Sequence, residues 1–383
     1  MTSTNGKKVA WSKVPSRLRS PTPRKPATAI DVAELAGVSR SAVSRTFTEG
    51  ASVSPATREK VMEAAQALKY RPNQFARALM TNRSSIVGVA VSALDNQFYP
   101  QVVQSLSDRL AAIGYRILLF VTHGDTELDP MLNELLRYKV DALLLASSSL
   151  SSKLAEECRD TGVPVIMFNN VDPVSPVPSI ASDNRYGGGV VAAYLKAAGH
   201  HRFGYISGVD ESSASREREA GFSTILEALG APKPARANGN YTFEDAYSAT
   251  QSLLGRKSPP DAIFCANDHM ALAALQAART EFGMEPGREV SIIGFDNVKI
   301  AAWPAFGLTT YSQPVDQMVS RTVELISATL DSRNFESQHE TIAGELIVRS
   351  SARQPASGVV RGANGYNVWR PDKKTERLLT RMG

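Results

Sequence analysis

The sequence predicts an α/β protein: a small all-α helix-turn-helix head, then a two-lobed body of doubly wound parallel sheets. Three observations carry that expectation. Residues 29–45, AIDVAELAGVSRSAVSR, read as two short helices around a glycine. From Ser85 onward, apolar runs alternate with amphipathic helical segments, and the runs fall into two sets. Charge divides the chain in the same way: residues 1–84 hold 15 Lys/Arg against 5 Asp/Glu, and the remaining residues hold 28 against 33. A basic head on an acidic body implies that one end meets a polyanion and the other does not. At 383 residues, two or three domains are expected.

In chain order, residues 1–27 carry seven Lys/Arg, no acid and four prolines, the composition of a disordered basic arm. A solubilising leader and a non-specific phosphate binder fit that composition equally. The head is expected over residues 28–71. Ile30, Ala33, Leu35 and Val38 supply apolar positions, Gly37 interrupts the pattern, and Ser39 is a good N-cap for the next helix. That helix, Arg40 to Phe47, has Val43 and Phe47 on one side and Arg40, Ser41, Ser44 and Arg45 on the other. Two short helices joined by a tight Gly-containing turn make a helix-turn-helix, whose second helix enters a major groove of double-stranded DNA. Arg40 and Arg45 reach guanine edges with paired hydrogen bonds, or else are solvated helix charges. Ser44 and Thr57 suit phosphates, which position without specifying. A third helix is capped by Ser54, opens on Pro55, carries Val61, Ala64, Ala65 and Leu68 on one face, and is expected to stop at Pro72. Residues 72–84 read as a hinge helix and linker, with Asn73 to Met80 a short helical candidate.

The body is expected over 85–353. One set of apolar runs covers 86–91, 116–121, 141–146 and 164–169; the second covers 202–207, 261–266 and 290–295. Helical segments such as Pro100–Ile113 and Asn267–Phe282 lie between them. Buried-looking strands alternating with helices imply parallel sheets, and two sets imply two lobes with a cleft between them. The N-lobe is assigned about 85–182 and 314–340, the C-lobe about 183–313 and 341–353. Residues 354–383 read as a basic tail containing Trp369 and no sustained leucine heptad, so no tetramerising coiled coil is expected.

Ligands of such sheets bind at the carboxyl ends of the strands. The residues there are Asn96, Phe98 and Tyr99, Asn169 and Asn170, Asn267 and Asp268, and Asp296. Arg218, Tyr241 and Gln313 fall in neighbouring segments. Flat rings covering C–H faces, with amides, a carboxylate and an Arg pairing hydroxyls, suit a polyol. Plain alternatives stand beside this: Asp296 as a helix cap, Tyr241 as core, Asn267 as a strand-end cap.

Catalysis is not indicated. The triplet Gly187–Gly189 opens a helix rather than following a strand as G-x-G-x-x-G, no G-x-S-x-G is present, and the five histidines lack metal-ligand spacing. No cofactor is implied. Cys158 and Cys265 read as buried free thiols of a reducing compartment. Without a signal-peptide core or a run of about 20 apolar residues, a cytoplasmic protein with no membrane partner is expected.

The run DVAELAGVS…VSR, followed by TREKVMEAAQALKYRPNQFARAL, resembles the DNA-binding headpiece of the lactose/galactose repressor family. The body resembles the type I periplasmic sugar-binding proteins that share its architecture, so the resemblance spans roughly residues 29–353. It implies a homodimeric repressor that binds a near-palindromic operator and is released by a sugar, polyol or sugar acid. It places Arg40 and Ser41 at the positions that set operator preference, Arg45 at a base-contacting one, and Asn73 in the hinge. Leu79, on its own a linker residue packed on the core, becomes a minor-groove wedge. Phe98, Tyr99, Asn169, Arg218, Tyr241, Asn267, Asp296 and Gln313 match effector-contacting positions. Asn169 departs from the Asp of several relatives, which makes an acidic effector more plausible beside Arg218. A co-repressor or protein-partner mechanism stays open, whereas a sugar-transport component is disfavoured by the headpiece.

Overall fold

The head is built from α1 (Ala29–Ala36), α2 (Arg40–Thr46) and α3 (Pro55–Ala67). The computed structural model describes residues 26–48, 50–72, 83–91, 94–121, 137–146, 158–171, 175–332 and 338–381. It divides into two units, Met1–Met80 and Thr81–Gly383.

In the head, Thr28 and Asp31 form a reciprocal capping box on α1, and Gly37 closes that helix at φ 64°, a conformation open to glycine at no steric cost. Ser39 caps α2 by accepting the Ala42 amide at 3.2 Å. Val32, Val43 and Val61 form the centre of a small core with Ala33, Ala64 and Ala65. Arg58 ties α3 to α2 by donating to the Thr46 carbonyl at 2.9 Å. Two sequence expectations change here. Of the apolar positions read from α1, Ala33 faces inward with Val32, whereas Ile30 and Leu35 are more than half exposed. The third helix ends at Ala67, not Pro72, since Lys69 turns left-handed at φ 52° and the Tyr70 amide returns to the Ala65 carbonyl at 2.8 Å.

The body opens with β1 (Ile86–Val91), α4 (Phe98–Ala112), β2 (Arg116–Val121), β3 (Ala142–Ala146), β4 (Val165–Phe168) and β5 (Ser179–Ser182). Next come α5 (Asn184–Ala197), β6 (Phe203–Ser207), α6 (Ser213–Ala228), β7 (Ala235–Asn238), α7 (Phe243–Leu254), β8 (Ala262–Cys265), α8 (Asp268–Phe282) and β9 (Ser291–Asp296). The chain closes with β10 (Thr309–Ser312), α9 (Val315–Ser332), β11 (His339–Ile342), β12 (Glu345–Ile347), β13 (Val359–Arg361), β14 (Asn367–Trp369) and α10 (Lys373–Thr380).

One sheet has the order β11-β5-β4-β3-β1-β2 and is parallel throughout. The other has the order β13-β14-β12-β10-β9-β8-β6-β7, parallel from β7 to β10 and antiparallel beyond. The chain passes between the sheets at 182–184, 312–315 and 342–345, so two lobes share one body. The strands β3 to β6, β8 and β9 are buried along their whole length, which explains the apolar runs of all but β5, whose sequence is SIAS.

The segment read from sequence as a basic tail is folded onto the C-lobe. β14 pairs with β12 at Val368↔Ile347, and Trp369, 5% exposed, meets the Tyr194 ring edge-on at 5.6 Å between centroids. Among the described residues, no helix is long and apolar enough to cross a membrane, and no cluster of His, Cys, Asp and Glu could hold a metal ion.

Candidate functional site: a DNA-reading face and a cleft

On α2, Arg40, Ser41, Ser44 and Arg45 are all exposed, while Val43 and Thr46 are buried. The short helix therefore has one face in the core and one polar, cationic face in solvent. Ser41 Oγ lies 2.9 Å from Ser39 Oγ, and Arg45 Nε donates to the Ser41 carbonyl at 3.4 Å, a long contact that a better acceptor displaces. Thr57 is half-buried, its hydroxyl 2.8 Å from Ser54 Oγ at the start of α3. Asn73 and Leu79 lie outside the described residues.

The cleft residues are built around Arg218, on the second turn of α6 and 2% exposed. Its Nε donates to Asn184 Oδ1 at 2.8 Å and its Nη1 to the Ala266 carbonyl at 2.5 Å. The guanidinium lies over the Phe295 ring, 3.7 Å from its centroid. Nη1 is also 3.8 Å from Asp296 Oδ1, and Gln313 Nε2 donates to that same oxygen at 2.6 Å. Arg218, Asp296 and Gln313 thus form one buried cluster, and the Ala266 contact places it beside Asn267.

Two close approaches make this possible. A Cβ at Gly188 of α5 would collide with the Arg218 carbonyl, and one at Gly221 of α6 with the Arg185 carbonyl. Gly188 and Gly221 thus let α5 and α6 touch backbone to backbone, while Gly187 leaves room for the Phe295 and Tyr311 rings.

Two strand-end residues and one loop residue are held in unusual conformations. Asn169 has φ 60°, Tyr241 φ 62° and Asp296 φ 129°, sparsely populated regions that cost about 1–3 kcal/mol each and cluster at ligand sites. Asp296 caps no helix: the short 3₁₀ turn that follows begins after Val298. Tyr241 is half-buried and packs against the hydrophobic core, as its plain alternative had it, with its hydroxyl 3.1 Å from Ser212 Oγ. Asn267 does cap α8, its Oδ1 accepting the Met270 amide at 2.9 Å, yet its Nδ2 is buried with no partner.

Asn267 Nδ2 is one of a set. Asn169 Oδ1, Ser182 Oγ, Arg218 Nη2 and Gln313 Oε1 are likewise buried and unpartnered. Each such atom costs about 1–3 kcal/mol unless something fills its bonding position. Both donors and acceptors are present, which is what a hydroxyl-rich molecule requires.

Burial raises the Asp296 carboxyl to about 7, with the neighbouring Asp268 pushing the same way and Arg218 opposing. Burial also raises Asp268, to about 6, although it accepts from Thr310 Oγ1 at 2.6 Å and the Val298 amide at 2.9 Å.

Phe98 and Tyr99 are the aromatic members of the expected set on the N-lobe. They are 2% and 4% exposed at the start of α4, their rings 5.4 Å apart and edge to face within the hydrophobic core. Asn96 is used locally, its Oδ1 accepting the Phe98 amide at 3.1 Å. Ser182 and Asn184, absent from the expected set, end and follow the short run SIAS. Treating the end of that run like the others would have found both.

A helix-turn-helix head joined to a two-lobed body that buries a polar cluster is the build of a ligand-responsive DNA-binding regulator. Residues 28–73 match the model of bacterial regulatory proteins of the lacI family, and residues 192–352 match a periplasmic binding protein-like domain. The repressor PurR of Photobacterium profundum is 30% identical over 332 residues, 85% of this chain and 99% of that protein. The structure of the lac repressor dimer bound to operator and an anti-inducer superposes with a TM-score of 0.77 at 27% identity, over 86% of this chain and all of that one. The CelR–cellobiose complex gives a TM-score of 0.64 at 28% identity, over 85% of this chain and all of that one. The chain belongs to the lacI family of bacterial transcriptional regulators. It is a repressor-type protein with a DNA-binding head and a ligand-binding body, and not an enzyme.

Proposed function

We propose that the protein binds a near-palindromic operator as a homodimer and is released from it by a sugar, polyol or sugar acid held between the lobes. The observation that carries the effector half is the set of buried, unpartnered atoms on Asn169, Arg218, Asn267 and Gln313, with Ser182 beside them. In this reading the hydroxyls of one ligand complete all of these groups, Asp296 accepts a further hydroxyl, and Tyr241, Phe98 and Tyr99 cover its C–H faces. The cellobiose held by CelR supports that ligand class.

The DNA half rests on the solvent face of α2. Arg40 and Arg45 read guanine edges with Ser41 between them, Ser44 and Thr57 hold phosphates, and Asn73 and Leu79 act from the hinge. One helix of seven residues reads too few bases for a specific site, so two heads on inverted half-sites are required. Half-exposed apolar side chains along β2, an edge strand of the N-lobe sheet, support pairing through that lobe: Leu119 and Val121 are 39% and 41% exposed. Release follows if the ligand binds one lobe arrangement better than the other.

Selecting operator fragments from a random DNA pool, then titrating sugars, polyols and sugar acids against the complex by fluorescence anisotropy, tests the proposal. Release by one class is expected. Tighter binding would instead make that compound a co-repressor, and indifference to every compound would remove the effector assignment.

A further inference from the structure

We propose that Ser213 is a positioning residue for the cleft: its hydroxyl latches the two lobes together and so fixes the spacing between Asn169 and Arg218. The Ser213 Oγ donates to Asn170 Oδ1 at 2.6 Å and accepts from the Val171 amide at 3.1 Å. Asn170 and Val171 follow β4 of the N-lobe sheet, whereas Ser213 is the first residue of α6, which belongs to the C-lobe. A single oxygen therefore carries two hydrogen bonds across the gap between lobes, and all three residues are half-buried, at the edge of the cleft.

The latch is placed where it bears on both ligand-facing sides. On the N-lobe, Asn170 directly follows Asn169, whose left-handed backbone at φ 60° aims its buried and unpartnered Oδ1. On the C-lobe, Ser213 lies five positions before Arg218 on the same helix, and a helix of sixteen residues moves as a rigid rod. Moving Ser213 relative to Asn170 thus moves Arg218 relative to Asn169. Neither latch partner has to touch the effector, so the hydroxyl sets the width of the site rather than its chemistry. The neighbouring Ser212 has a different task, since its Oγ caps α6 and meets the Tyr241 hydroxyl. The inference rests on the proposed roles of Asn169 and Arg218, but the latch itself is measurable with no ligand present.

The test is the inter-lobe distance distribution of the full-length, ligand-free protein, by pulsed electron spin resonance between labels at Asp108→Cys in α4 and Lys257→Cys in the C-lobe. Both positions are exposed and the native Cys158 and Cys265 are buried, so the labels go only where intended. Ser213→Ala is expected to broaden the distribution and shift it to longer separations. Ser213→Thr, which keeps the hydroxyl, is expected to retain the narrow distribution of the parent. A Ser213→Ala distribution that superposes on the parent would overturn the proposal, as would the same broadening in Ser213→Thr. A residue that merely caps a helix would lower the melting temperature and leave this distance alone. Failure of every sugar to bind would remove the effector reading without touching this result.

Discussion

Arg218 and Asp296 are both almost wholly buried and stand 3.8 Å apart, close enough to attract as ions but too far to share a hydrogen bond. Gln313 takes the near carboxylate oxygen, and Arg218 Nη2 is left without a partner. The pair is thus electrically matched yet keeps hydrogen-bonding capacity in reserve for a ligand.

Removing Arg218 strips Asp296 of its cation, so the buried carboxyl must either stay charged without a partner or take up a proton. Arg218→Ala should abolish the response to effector while DNA binding by the head persists, and should cost the body about 3–5 kcal/mol of stability. Adding Asp296→Asn should recover much of that stability without recovering the response. Urea denaturation and anisotropy with labelled operator separate the two effects.

The raised carboxyls also predict a pH dependence. Asp296 and Asp268 bind protons more tightly in the folded body than their ordinary value of 3.8. Their contribution to stability is full below about pH 3.8 and is lost as pH rises through the folded values, about 6 and about 7. His200 acts oppositely: burial lowers it from 6.5, so its contribution is present above that pH and lost as the medium turns acid. Asp296→Asn should flatten the fall in the body's urea midpoint between pH 5 and 8.

On the head, Arg45→Ala should reduce preference for the selected operator over random DNA by roughly 1–3 kcal/mol, the worth of one bidentate base contact. The same protein should keep its effector affinity, because Arg45 is exposed and lies in the other unit of the chain. Competition binding with random DNA reads the first quantity, and calorimetry with the effector reads the second.

At the far end, Trp369→Ala should destabilise the body by about 3–5 kcal/mol, since it empties a large buried site against Tyr194. The head should melt as before. Differential scanning calorimetry that shows an unchanged body transition would mean the C-terminal strands add nothing to the C-lobe.

What could be read from sequence was local. Ser39, Gly37 and Ser54 announce the helix-turn-helix because caps and turns depend on neighbours a few residues away. The strand-end positions of Asn169, Asn267 and Asp296 were legible because a long apolar run marks a buried parallel strand. The short polar strands SIAS, ARAN and HETI gave no such signal, so Ser182 and Asn184 were passed over. Trp369 looked like part of a loose tail because β13 and β14 have three residues each and take their meaning from β12. The left-handed backbone at Asn169, Tyr241 and Asp296, and the latch at Ser213, arise from tertiary contacts that no local pattern records.

If the body holds a small hydroxyl-rich molecule through Arg218 and its neighbours, binding must depend on that side chain. Thermal melting of the parent and Arg218→Ala proteins against sugars, polyols, sugar acids and purines tests it most directly. Selective binding stabilises the native state by about 2.7 kcal/mol at a hundredfold excess over Kd. One sugar class is expected to raise the melting temperature of the parent body and leave Arg218→Ala unmoved. Equal shifts in both proteins, or no shift with any compound, would contradict it.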